Sequence, residues 1–240
     1  MTSPTHNPTI TPTHNPTITP TIAVVAGTTA AATGLITRLA DRGHTVGHVD
    51  PGTAVDPRAR FDAAFDVVAE QIGIPEVVVL AHLDPAAATA GPLIELDPET
   101  WDAAGERSIR VALQLLQAAH RHLPDGGRVV VVLPSVATIG VPGLVPMCTA
   151  VEAIRVMAKV AARRWGGRGI TVNVVLVPLD AFLGEATPAG AAVPSLGLAS
   201  LGERDALDDA AGLVLMLAGP DGAALTGATL GADAGTVMVP

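Results

Sequence analysis

His82, Ser135 and Cys148 are the side chains of this sequence with the chemistry of a reaction centre. His82 directly follows an apolar run, Glu76–Ala81, with the length and composition of a buried strand. An imidazole leaving such a strand has a pKa suited to moving a proton near neutrality. Ser135 follows a second run of this kind, Gly127–Leu133, where its hydroxyl could orient a carbonyl. Asp84 or Asp180 could orient the imidazole. Cys148 lies at the start of a helical pattern, a position that can lower a thiol's pKa. Each has a plainer reading: a histidine bonded to backbone carbonyls, a serine opening a turn, a cysteine serving as a small core residue. What is missing counts as much. The 240 residues include no tyrosine, and Lys159 is the only lysine.

These groups need a frame, and the apolar pattern predicts one. Strand-length runs at Ile22–Ala26, Thr45–Asp50, Glu76–Ala81, Gly127–Leu133, Thr171–Val177 and Thr229–Ala232 alternate with helix-length segments. A small-residue turn after the first run leads into a helix ending at Arg42, with Leu35, Ile36 and Leu39 inward and Gly43 as its stop. Further helices are predicted over Phe61–Ile72, Pro98–His122, Val145–Trp165 and Asp205–Ala218. Trp101, Ile109, Leu113 and Leu116 mark the inner stripe of the longest. Ala54–Asp56 reads as the remnant of a further strand. The order specifies an α/β fold, a Rossmann-like doubly wound parallel sheet of about seven strands with helices on both faces. Residues 21–240 form one domain, and Pro178–Leu201 would lie over the carboxyl ends of the strands, where such sheets bind ligands.

Residues 1–20 are of another kind. Thr5–Pro12 reads THNPTITP, and Thr13–Pro20 repeats it letter for letter. A Pro/Thr-rich tandem repeat has no apolar face to bury, which predicts a disordered or extended tail. It lacks the basic and apolar regions of a signal peptide, so the expected compartment is the cytoplasm. A net charge of −9 without a Lys/Arg cluster argues against nucleic acid and anionic membranes as partners. The apolar runs are too short to span a bilayer. One cysteine excludes an internal disulfide, and no metal site is expected.

The segments RLADRGHTVGHVD, GPLIELDPETWDAAGERSIRVALQLLQAAHRHL, GGRVVVVLPSVATIG, RGITVNVV and LTGATLGADAG follow one another over about residues 22–235. In that order they resemble the short-chain dehydrogenase/reductases (SDRs), nearest to 3-oxoacyl-carrier-protein reductases. The resemblance implies a nicotinamide cofactor and a Ser–Tyr–Lys–Asn tetrad, and each position can be read in turn. The family's T-G-x-x-x-G-x-G turn corresponds to Ala26–Gly34 (AGTTAAATG), where Gly27 is the glycine near the start. Ala30 and Ala32 take the later glycine positions, and each added Cβ intrudes on a pyrophosphate. Asp50 falls where the family holds a ribose hydroxyl and selects NAD; beside Pro51 it is equally a turn opener. The N-N-A-G floor is replaced by Leu80-Ala81-His82-Leu83, and the nicotinamide-contacting P-G by Val177-Pro178-Leu179.

Ser135 matches the catalytic serine, and Ser108 falls on the asparagine of the tetrad. Met147 and Val151 occupy the Tyr and Lys positions; a register shifted by one puts Cys148 and Glu152 there. Neither register restores a phenol to carry the proton or an ammonium to lower its pKa. Lys159 lies two turns further along the same helix, out of reach. The resemblance therefore implies a pseudoenzyme that binds no cofactor, or NAD if any. Such a chain would be a non-catalytic subunit, in a homo- or hetero-oligomer with an active ketoreductase-type SDR of a biosynthetic pathway. Pairing would use the two long helices, and a carrier-protein-bound substrate could dock beside them. An alternative is a non-redox cyclase, dehydratase or isomerase, with His82 as base and Leu80, Leu83, Met147 and Val151 lining a cleft for an apolar small molecule. A third reading keeps NAD-dependent oxidoreduction through Asp50, with water or substrate supplying the proton.

Overall fold

The computed structural model describes residues 22–26, 29–51, 57–188 and 199–238. The repeat tail, Gly27 and the remnant strand Ala54–Asp56 lie outside them. Six strands form one parallel sheet: β1 (Ile22–Ala26), β2 (Val46–Val49), β3 (Val77–Ala81), β4 (Arg128–Pro134), β5 (Thr171–Val177) and β6 (Thr229–Gly231). Their spatial order is β2-β1-β3-β4-β5-β6, so the described sheet has six strands rather than about seven. After β2 the chain crosses back over β1 to start β3, and this reversal opens a crevice at the carboxyl ends of β1 and β3. The register carries Val25 beside Leu80 and Ala26 beside Ala81, which brings His82 to that edge.

The valine-rich runs become strands because a parallel sheet covered on both faces rewards β-branched residues at every position. Every residue of β3 and β5 is buried. On one face lie α1 (Ala30–Asp41) and, from the other end of the chain, α6 (Leu179–Leu183) and α7 (Ala206–Ala218). The other face carries α2 (Pro57–Ile72), α4 (Arg107–His122) and α5 (Val145–Trp165), with α2 and α5 flanking α4. The short α3 (Pro98–Trp101) joins α4 through a π turn at Asp102–Glu106, so the helical run over 98–122 is continuous but not regular. Phe61, Phe65 and Phe182, all the phenylalanines of the chain, are fully buried.

One face of α1 is pinned to α7. Arg38 pairs with Asp205 at 2.5 Å and Arg42 with Asp208 at 2.7 Å, and Gly34 lets Leu207 approach. These ion pairs are half open to water, so each contributes at most about 1 kcal/mol. Leu113 departs from its expected inward position: it is 44% exposed, whereas Leu116 is buried. No helix among the described residues is long and apolar enough to cross a membrane.

Candidate functional site

The crevice begins at Thr29, the residue before α1. Its backbone is extended and its hydroxyl accepts the Ala32 N–H at 3.3 Å, which makes it the helix N-cap. The same hydroxyl donates to the carbonyl of Ala81 at 2.7 Å, tying the start of α1 to the end of β3. Thr29, Ala31 and Ala32 are buried. The N-cap preference of threonine ahead of an alanine-rich run was a usable sequence signal for this contact.

His82 comes next. It is buried, and its Nδ1 has no hydrogen-bond partner. Burial pushes its pKa down to about 4, with the charges of Asp84 and Asp50 opposing that shift. The imidazole is therefore neutral at neutral pH. Asp84 does not orient it. One carboxylate oxygen of Asp84 caps a 3₁₀ turn by accepting the Ala86 N–H at 2.9 Å, and the other faces Arg107 at 3.4 Å. Asp180 does not orient it either: its Oδ1 accepts the Ala181 N–H at 2.9 Å. Asp50, exposed just past β2, is near enough for its charge to act on His82.

Ser108 is fully buried, and its hydroxyl is bonded to backbone on two sides. It accepts the backbone N–H of Asp84 at 2.9 Å and donates to the carbonyl of Ala104, in the π turn, at 3.4 Å. It thereby clamps the loop after β3 to the irregular turn, and π turns are frequent at sites under functional constraint. Ser135 opens the 3₁₀ turn after β4 and is 2% exposed; its carbonyl accepts the Thr138 hydroxyl at 2.8 Å.

Met147 and Val151 project into the core and are fully buried, with Ala150 between them. Cys148 points elsewhere. It lines an open groove of about 710 Å³ with Thr149, Glu152 and Val156 on the outer flank of α5. Contrary to a helix-start thiolate, burial pushes its thiol pKa up, and Glu152 adds to the shift. No hydrogen bond or ion pair among the described residues joins His82, Ser135 and Cys148. Among the described residues no cluster of His, Cys, Asp and Glu is placed to hold a metal ion.

Pro178–Leu201 is the segment expected over the carboxyl ends of the strands; which of its residues pack there was not legible in the sequence. After β5, α6 packs on α1 and on β4, and its Phe182 is fully buried. Gly184, at φ +60°, sits so close that a Cβ on it would come within 2.8 Å of Ala30 Cβ. A single phenylalanine in an Ala/Gly/Pro-rich segment has no periodicity to reveal it.

Comparison with known proteins agrees with this frame. A family model described as enoyl-(acyl carrier protein) reductase matches residues 22–237. The cyclic-di-GMP-binding biofilm dispersal mediator protein of Escherichia coli (strain K12) is 29% identical over 171 residues, 70% of this chain and 69% of that protein. A short-chain dehydrogenase/reductase from Serratia marcescens BCRC 10948 superposes with a TM-score of 0.73 at 25% identity, covering 92% of this chain and 99% of that one. A blue fluorescent protein from a metagenomic library, solved in complex with NADPH, gives 0.69 at 25% identity over 91% and 98%. The chain belongs to the short-chain dehydrogenase/reductase superfamily, within the family described as enoyl-(acyl carrier protein) reductase.

Proposed function

We propose that this protein is an SDR without reductase chemistry of its own, acting as a non-catalytic partner subunit of an active ketoreductase-type SDR in a biosynthetic pathway. The observation that carries this reading is that Met147 and Val151, at the proton-transfer positions, are apolar and fully buried in a chain without tyrosine. Neither can exchange a proton, and Lys159 lines a separate pocket beside β6.

The dinucleotide end of the crevice supports the same reading. NADPH is bound by the blue fluorescent protein. A pyrophosphate at a helix N-terminus needs open N–H groups and room for its oxygens. At the start of α1, Thr29 already holds the Ala32 N–H, Ala31 and Ala32 are buried, and Gly184 is seated against Ala30. These residues do not fit the pyrophosphate of a nicotinamide dinucleotide. Asp50 is the one feature that suits NAD, through a ribose hydroxyl.

The partner surface in this proposal is the outer face of α4 and α5, where Leu113, Val156 and Val160 are 44%, 54% and 61% exposed. Co-expression with the ketoreductases of its host and native mass spectrometry test it. A mixed oligomer that Val156→Asp dissolves is expected; a monomer in every combination rejects the proposal.

A second reading, a non-redox enzyme, is favoured by the unpartnered Nδ1 of His82. A neutral, buried imidazole is able to accept a proton from a substrate in an apolar crevice. If His82→Ala leaves turnover of a candidate substrate unchanged, this mechanism is wrong.

A further inference from the structure

Lys159 makes no ion pair among the described residues, and it lines a pocket of about 560 Å³ between α5 and the sheet edge. β6 is the edge strand of the described sheet, and among the described residues the pocket on its α5-facing side is bounded by the flank of that helix and by Val237 and Met238. Thr229 and Gly231, two residues apart, share that side of β6. Gly231 brings no side chain to fill the space. Thr229 brings an Oγ1 that is buried and has no hydrogen-bond partner, a condition rare in folded proteins. Arg155, one turn before Lys159, bonds Glu152 Oε2 through Nε at 3.0 Å and Nη2 at 2.5 Å, so its Nη1 stands outside that pair. Asp233 is also at the pocket, but its two carboxylate oxygens accept the N–H groups of Gly235 and Val237, each at 3.1 Å. Asp233 keeps its charge but is engaged by the turn, so the lining carries two cations, Arg155 and Lys159, against one anion, and Lys159 has no ion pair among the described residues.

We propose that this pocket binds a small acid, a carboxylate or phosphate monoester on a short apolar chain, with Lys159, Arg155 Nη1 and Thr229 Oγ1 on the headgroup. The ammonium and guanidinium answer its charge, and the hydroxyl donates to one of its oxygens. Leu176 and Met238 offer an apolar wall to the chain. The site shares no lining residue with the Cys148 groove and does not depend on whether the crevice accepts a dinucleotide.

The test is calorimetric titration of the whole protein with octanoate, octyl phosphate, octanol and octylammonium. One of the two acids should bind at least about tenfold more tightly than octanol or octylammonium, and the tighter of the two identifies the headgroup. Lys159→Gln and Thr229→Val, both folded as judged by circular dichroism, should each weaken that binding by about tenfold. Because Lys159 is the only lysine, acetylation at that residue should also slow severalfold in the presence of the acid. Equal binding of octanol, undiminished binding by Lys159→Gln, an unchanged acetylation rate, or no binding at millimolar concentration would each overturn the proposal.

Discussion

At the scale of single residues, His82 is where burial opposes ionisation most. Its imidazole titrates near pH 4 in the folded chain, against an ordinary value of 6.5. Between those values the unfolded chain binds a proton that the folded chain does not. Stability therefore falls as pH drops through this window, by up to about 3 kcal/mol for this one group. His120 is shifted the same way by burial and by Arg168 and Arg121, but it is far less buried and contributes little. The carboxylates of Asp62, Asp205 and Asp209, whose values are lowered by their arginine partners, lose their contribution only at more acid pH. Urea unfolding at pH 7 and pH 4.5 should show most of the loss in the wild type and a much smaller one in His82→Gln. Equal losses in both would mean that His82 is not held neutral.

At the scale of elements, close backbone approaches decide what is tolerated. In the turn between α7 and β6, a Cβ on Gly222 would lie 2.5 Å from Leu217 Cα and 2.6 Å from the Met216 carbonyl oxygen. Backbone atoms cannot turn aside, so Gly222→Ala should destabilise by at least about 2 kcal/mol. Gly34→Ala meets Leu207 Cδ1 at the same 2.5 Å, but that methyl can rotate, and the cost should be well under half as large. Thermal unfolding of the pair checks the contrast. Asp205 caps α7 by accepting the N–H groups of Leu207 and Asp208 while it pairs with Arg38. Asp205→Ala should cost about 1–2 kcal/mol, most of it surviving in an Arg38→Ala background because the cap outweighs the exposed pair.

Strands and helices were legible because continuous valine runs and long apolar periods have few other structural solutions: Val145–Trp165 and Thr171–Val177 have the bounds the pattern predicts. The stripe of α4 misled because its core face is built largely of small residues, Ala112, Ala118 and Ala119, beside Leu115 and Leu116. Ile109 and Leu113 are larger but sit at the edge of that face. The π turn also shifts the helical phase after Trp101. The apolar runs alone put His82 and Ser135 directly after β3 and β4, whereas Ser108, inside α4, is singled out through the family resemblance. The segment after β5 is expected over the strand ends, but the approach of its Gly184 to α1 was not legible, since it joins segments about 150 residues apart, and local periodicity carries no such information.

At the scale of the whole molecule, an SDR frame surrounds the crevice at the carboxyl ends of β1 and β3, and in the proposed reading that crevice has neither proton-transfer groups nor room for a pyrophosphate. The exposed valines of α5 are the face that the proposal assigns to another subunit. If that face serves assembly, Val156→Asp should leave the melting temperature nearly unchanged and shift the sedimentation coefficient to that of a smaller species. An unaltered coefficient would place any assembly elsewhere. The central claim is that the frame has outlived its cofactor chemistry. Calorimetric titration of the purified protein with NADH and with NADPH tests it most directly. The account predicts no binding of either up to millimolar concentration. Micromolar binding, about −8 kcal/mol, would contradict it and make Asp50 the first residue to mutate.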